Sequence, residues 1–86
     1  MSGWIKTKDR TPTEESNEYL VVERILGATF YDVAYWSNNL FEVGDNFQDE
    51  EYKRGGFYEW DSDWGYVECH KVVAWQEIEE YEGEEE

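Results

Sequence analysis

The fold is decided by residues 18–36, which read E-Y-L-V-V-E-R-I-L-G-A-T-F-Y-D-V-A-Y-W. The stretch contains two runs rich in β-branched and aromatic residues, 18–25 and 28–36, and such runs are typical of β-strands. Gly27 lies between them and can adopt the positive φ that a tight turn needs. The stretch therefore predicts an antiparallel hairpin with its turn at Gly27.

Working outward from this hairpin, three further strands are predicted, at residues 40–43, 57–60 and 66–75 or a little beyond. Residues 44–56 are predicted to form a loop, or at most one helical turn around residues 48–53. We therefore expect a mainly β fold, or a small α+β fold, with one antiparallel sheet of about four to five strands and at most one short helix.

Two finer expectations concern packing. In the last predicted strand, Val67, Cys69, Val73 and Trp75 share one face because alternate strand residues point to the same side. Trp4 precedes the strands in a segment without a clear period, and we expect it to dock on the sheet as a plug.

The composition indicates a folded domain with an acidic exterior. The 86 residues include 22 acidic and 7 basic side chains, for a net charge of −15. Leu, Ile, Val and Phe are few for a core, but the 5 Trp and 7 Tyr add large buried areas and predict an aromatic core. One domain is expected over residues 1–78, followed by an acidic tail over residues 79–86.

The charge excludes two classes of partner. Nucleic acid and anionic membranes are themselves negative and would repel this chain, so neither is expected as a direct partner. The sequence has no apolar run near the roughly 20 residues that a membrane helix needs, and its start lacks the apolar region of a signal peptide. A single cysteine fits a reducing compartment. We therefore expect the chain to act in the cytoplasm.

Three motifs, in order along residues 4–80, carry a family resemblance. They are W-I-K-T-K-D-R-T-P with Y-L-V-V shortly after it, then V-A-Y-W-S-N-N-L-F, and finally V-V-A-W-Q-E-I-E-E. Together they resemble the family called domain of unknown function 551, although Thr11 replaces the usual Leu, Ala74 a frequent His, and the closing prolines are absent. The resemblance implies a small accessory protein of bacteriophages or prophages, which would act in the host cytoplasm, and it assigns no functional residue.

Candidate chemistry in the sequence is sparse. Cys69 and His70 are adjacent on a predicted strand and point to opposite faces, so they are not expected to act as nucleophile and base, and Cys69 is expected to be buried. The acids around Asp61 and Asp63 do not have the spacing of a calcium loop. Acid pairs suited to glycoside hydrolysis arise by chance at this density. We expect no enzyme activity, no metal site and no cofactor.

The loop region instead predicts a recognition surface for a basic protein. Tyr and Trp are common interface anchors, and carboxylates around them would select a cationic partner. The predicted partner-binding residues are Asp45, Asp49, Glu50, Glu51, Tyr52, Glu59, Asp61, Asp63 and Trp64. Aromatic residues packed in the core beneath a solvated acidic face remain the plain alternative for part of this set.

Three functions remain open from sequence. The first is a phage-encoded inhibitor that binds a host nucleic-acid-binding defence protein, of anti-CRISPR or anti-restriction type, by imitating the charge of DNA. The second is a small-ligand or sugar-binding module that uses exposed Trp and Tyr rings. The third is an accessory protein of virion assembly, or of a homo-oligomer such as a homodimer, that pairs through an exposed strand edge.

Overall fold

Six antiparallel strands form one open sheet in the computed structural model, which describes residues 3–15 and 17–78. The strands are β1 (Ile5–Lys6), β2 (Glu18–Ile25), β3 (Ala28–Ser37), β4 (Gly56–Asp61), β5 (Gly65–Glu68) and β6 (Val72–Glu77). Their order across the sheet is β1-β6-β2-β3-β4-β5. The mainly β prediction is confirmed, and the strand count is higher than the predicted four to five.

The β2–β3 hairpin confirms the two strands predicted from residues 18–36. Its turn contains two residues, since Ile25 pairs with Ala28 and both Leu26 (φ 52°) and Gly27 (φ 83°) have positive φ. Two positive φ angles are typical of a type I′ turn, whose twist matches that of the flanking strands. The turn therefore involves Leu26 as well as the expected Gly27.

The single strand predicted for residues 66–75 is wrong, because the chain turns at His70–Lys71 and forms two strands. β5 stays beside β4, while β6 crosses to the other side of the hairpin and pairs with β2, with Trp75 opposite Val21. A register shift in β6 then places Val72, and not the expected Val73, against the core. Val73 is exposed instead.

The strand predicted for residues 40–43 is also wrong. Asn39 accepts a hydrogen bond from the Phe41 N–H through its side chain and caps a 3-10 turn, Leu40–Glu42, which buries Leu40 completely. Two more 3-10 turns follow, Asp45–Phe47 and Glu50–Tyr52, where a loop or one helical turn was predicted. Among the described residues these turns take the place of the short helix.

Aromatic residues dominate the packing on both sides of the sheet. The core face carries a cluster of Tyr19, Val21, Ala34, Trp36, Phe57, Cys69 and Trp75. Residues 7–15 cover it: the Trp75 indole N–H donates to the Arg10 carbonyl at 2.9 Å, and Pro12 is buried. The opposite side, the turn face, carries Leu40, Phe47 and Tyr58 beneath the 3-10 turns. The predicted aromatic core is confirmed.

The two ends of the chain are described to different extents. Trp4 is half-buried and lies against Tyr31, with ring centroids 6.3 Å apart, so it does contact the sheet, on the turn face. The predicted acidic tail over residues 79–86 lies outside the described residues. Within residues 3–15 and 17–78, the chain has no helix whose length and apolarity suit a bilayer crossing.

Candidate partner-binding surface

Four carboxylates lie together on the core face, at the end of the sheet near the β2–β3 turn. Strand alternation and register place Glu23 of β2, Asp32 of β3, and Glu59 and Asp61 of β4 on this side. We call these four residues the carboxylate row. On each of its three strands, the row lies on the same face as the residues that form the core further along that strand, such as Tyr19 and Val21 on β2.

The acids of the row repel one another. Burial raises the pKa of Glu59, and the negative charge of Asp32 raises it further. Burial also raises the pKa of Glu23, with Asp32 again contributing. The charge of Glu23 and the close approach of the Asp32 side chain raise the pKa of Glu59 further.

The ion pairs of the described residues lie outside the carboxylate row. They are Lys53 with Glu50 at 3.1 Å, Arg54 with Glu68 at 2.8 Å, and His70 with Glu68 at 3.5 Å. Within residues 3–15 and 17–78, no member of the carboxylate row has a Lys or Arg partner. These four acids therefore form a site of concentrated, uncompensated negative charge.

The predicted partner-binding residues fall into two groups. Glu59 and Asp61 belong to the carboxylate row, and Asp63 and Trp64 follow them in the β4–β5 turn. The other group lies on or beside the 3-10 turns of the opposite face: Asp45, Asp49, Glu50, Glu51 and Tyr52.

The β4–β5 turn connects the two groups. Asp61 accepts hydrogen bonds from the backbone N–H groups of Asp63 and Trp64, which fixes the turn. The Asn46 side-chain amide donates to the carbonyl oxygens of Trp64 and Tyr66, so the second 3-10 turn is held against this hairpin. Asp45 is thereby brought close to the turn, because it is the neighbour of Asn46.

The charges on the third 3-10 turn are partly compensated. Glu50 pairs with Lys53, and Glu51 lies close enough to Arg54 to influence its pKa. Tyr52 packs its ring on the edge of Phe47, with centroids 5.0 Å apart, and belongs to the apolar cluster beneath the turns. This region therefore offers a weaker field to a cationic partner than the carboxylate row does.

Two members of the row, Glu23 and Asp32, were missing from the set predicted from sequence. The signal for them is strand alternation. Glu23 follows Tyr19 and Val21 in the inward-facing set of β2, and Asp32 precedes Ala34 and Trp36 in that of β3. A charged residue at an inward position of a strand is the pattern to search for.

Cys69 and His70 are two further residues considered in the sequence analysis. Cys69 is buried, as predicted, and burial raises the pKa of its thiol. His70 is exposed beside Glu68. Among the described residues, no three His, Cys, Asp or Glu side chains are arranged to hold a metal ion.

Comparison of the chain with protein-family models, with curated proteins and with solved structures returns no match. The resemblance to domain of unknown function 551 therefore stays a prediction.

Proposed function

We propose that this chain is a phage-encoded, non-enzymatic inhibitor that binds a basic, nucleic-acid-handling defence protein of the host, of anti-CRISPR or anti-restriction type. The observation that carries the proposal is the carboxylate row, where burial, and after it the like charges that lie side by side, raise the pKa of Glu23 and Glu59. Such repulsion costs stability in the free chain. A partner that supplies Lys and Arg side chains offsets this repulsion by attracting the same carboxylates.

The spacing of the row suits a surface that binds phosphates. Alternate residues of a strand, such as Glu59 and Asp61, are about 7 Å apart, and neighbouring strands are about 4.8 Å apart. Duplex DNA carries one charge per about 3.4 Å of axis on each strand. A groove of Lys and Arg that accepts phosphates therefore meets carboxylates at a comparable density.

The surroundings of the row add an anchor and a long-range field. Trp64 is 73% exposed in the turn that follows Asp61, and Trp is enriched among the residues that dominate interface energies. The described residues contain 16 acidic and 7 basic side chains, a net charge of −9. A field of this sign would speed association with a cationic protein at low salt.

The test uses two variants with the same net charge. The row variant carries Glu23→Gln, Asp32→Asn and Glu59→Gln. The control variant carries Asp9→Asn, Glu14→Gln and Glu42→Gln, all at exposed positions outside the row. Each tagged chain is incubated with host lysate at low salt and at about 0.5 M salt, where charges are screened beyond roughly 4 Å, and bound proteins are identified by mass spectrometry.

We expect the wild-type and control chains to retain the same nucleic-acid-binding protein at low salt and to release it at high salt. The row variant should retain at most a tenth as much. Equal retention by the row and control variants would contradict the proposal, because net charge alone would then explain binding.

Exposed tryptophans favour a second candidate, a sugar- or small-ligand-binding module. Trp60 is 62% exposed and its ring packs edge-on against Tyr66 at 5.0 Å, which holds it in place for stacking on a ligand. Stacking is nearly insensitive to salt, whereas a charge match is weakened by it. Binding to a glycan array that persists at about 0.5 M salt and is lost in Trp60→Ala would favour this candidate.

A further inference from the structure

The 3-10 turns cover only part of the turn face of the sheet, and the uncovered part is apolar. We call this area the open patch, and it consists of Trp4, Leu20, Val22, Tyr31, Val33 and Ala74. Leu20 and Val22 lie on the opposite side of β2 from Tyr19 and Val21, so the strand is apolar on both faces. Antiparallel strands with one solvated face usually alternate apolar and polar residues, and strands apolar on both sides are typically covered on both.

The open patch is continuous within the described residues, with Tyr31 and Val33 exposed and its other members half-buried. Val22 pairs with Tyr31 on one side and with Ala74 on the other, so the apolar side chains adjoin across three strands. Tyr31 is 72% exposed and Val33 40% exposed. Large apolar side chains that adjoin in this way mark interaction surfaces more often than isolated ones do.

The charges of the two faces indicate which kind of partner fits the open patch. Over β1, β6, β2 and β3, register places three charged side chains on the turn face, for a net charge of +1: Lys6, Arg24 and Glu18. The core face of the same strands carries three acids and no base, for a net charge of −3: Glu23, Asp32 and Glu77. Two copies of this acidic chain can therefore approach through the open patch with the acids of their core faces turned away from each other.

We propose that the open patch is the interface of a homodimer, in which two copies pack their sheets face to face with the β2 strands antiparallel. Glu18 and Arg24 lie six residues apart on the same side of β2, about 20 Å, with Leu20 and Val22 between them. A two-fold axis that passes at the level of Val21 places Glu18 of one copy opposite Arg24 of the other. Leu20 and Val22 then meet their counterparts at the centre of a sheet sandwich about 10 Å thick.

The patch spans four strands, with two alternate positions on each of β2 and β3, so its backbone footprint is roughly 14 by 7 Å before the side chains are added. This is smaller than a standard stable interface and typical of a transient one, so we expect a dimer that dissociates in the range of about 1–100 µM. Tyr31 carries the largest exposed apolar area of the patch and is the expected anchor.

The test measures the mass of the full chain by analytical ultracentrifugation and light scattering from about 1 to 500 µM. We expect the mass to rise from that of the 10.3 kDa monomer to twice that value. Tyr31→Ser should shift the midpoint to at least about tenfold higher concentration. Phe30→Ser is the matched control, because Phe30 is the neighbouring exposed residue of β3 and points to the core face.

A charge exchange tests the antiparallel arrangement. Arg24→Glu and Glu18→Arg should each weaken the dimer severalfold, and the double variant should restore it, with the fold of every variant checked by circular dichroism. A monomer over the whole range would overturn the proposal, and equal effects of Tyr31→Ser and Phe30→Ser would do the same. Failure of the double variant to recover would overturn the arrangement.

Discussion

Replacing the half-buried Glu59 carboxylate by its uncharged isostere, glutamine, is expected to stabilise the folded chain. In the folded chain Glu59 lies beside Asp32 and near Glu23, and no cation of the described residues pairs with it. Like charges at neighbouring positions of a sheet destabilise it by roughly 0.2–1 kcal/mol. With two such neighbours, Glu59→Gln should raise the free energy of unfolding by about 0.5–1 kcal/mol at pH 7.

The effect has a defined pH dependence. The folded pKa of Glu59 lies above its ordinary value of 4.5, so the folded chain binds the proton more tightly than the unfolded chain does. The free energy of unfolding therefore falls as the pH rises above 4.5 and through the raised pKa. Glu59→Gln should remove the part of this fall that comes from Glu59. Its gain in the free energy of unfolding over wild type is therefore largest at pH 7 and vanishes towards pH 4.5.

Urea unfolding followed by tryptophan fluorescence, at several pH values from 4.5 to 7.5, measures this difference. At pH 7 the midpoint of Glu59→Gln should lie about 0.5 M above that of wild type. Glu42→Gln is the control, because it removes the same charge from an exposed 3-10 turn. An equal gain in the control would refute local repulsion, and so would a gain in Glu59→Gln that does not depend on pH.

Further substitutions test other parts of the fold. Leu26→Asn should stabilise the chain by about 0.5–1 kcal/mol, because Leu26 is fully exposed at φ 52° and a left-handed conformation suits Asn better. Gly27→Ala, at φ 83°, should lower stability by about 1 kcal/mol. Urea unfolding measures both changes, and the opposite signs would refute the type I′ turn. Gly56→Ala should lower stability by about 1–3 kcal/mol in the same assay, since its Cβ would lie 2.6 Å from the Leu40 side chain, and an unchanged midpoint would contradict that close packing. The Cys69 thiol should react with a thiol reagent at pH 8 about a hundredfold more slowly than free cysteine, because it is buried and its pKa is raised, and a rate near that of free cysteine would show that the site is open.

Local patterns were sufficient for the parts of the fold that form locally. The β2–β3 hairpin was predicted because its strand residues and its turn glycine are consecutive in sequence. The split between β5 and β6 was missed because Cys69, His70 and Lys71 include no glycine or proline. The turn is instead stabilised by pairing of β6 with β2, about fifty residues earlier in the chain.

The 3-10 turn at Leu40–Glu42 shows a second limit. Its sequence alternates like a strand, and the Asn39 side chain together with burial of Leu40 decides in favour of a turn. Side-chain capping of this kind competes with strand pairing, and the sequence contains both signals. Only the position of the neighbouring β4, which leaves room for Leu40 beside Gly56, decides between a strand and a turn.

The candidate surface was predictable only in part. Glu59, Asp61, Asp63 and Trp64 were predicted because acids and aromatic residues cluster there in sequence. The carboxylate row also needs residues from β2 and β3, and their proximity depends on the register between strands. Sequence alternation marks Glu23 and Asp32 as inward-facing, but it does not show that they lie beside Glu59.

Competition with duplex DNA tests the central claim most directly. A host protein captured by this chain is titrated with a duplex that it binds, and its affinity for the chain is measured at each DNA concentration. We expect mutual exclusion: the apparent dissociation constant rises in proportion to free DNA, and the row variant competes far less well than the control variant does. A complex that contains the chain, the captured protein and DNA together, with unchanged affinity, would contradict it.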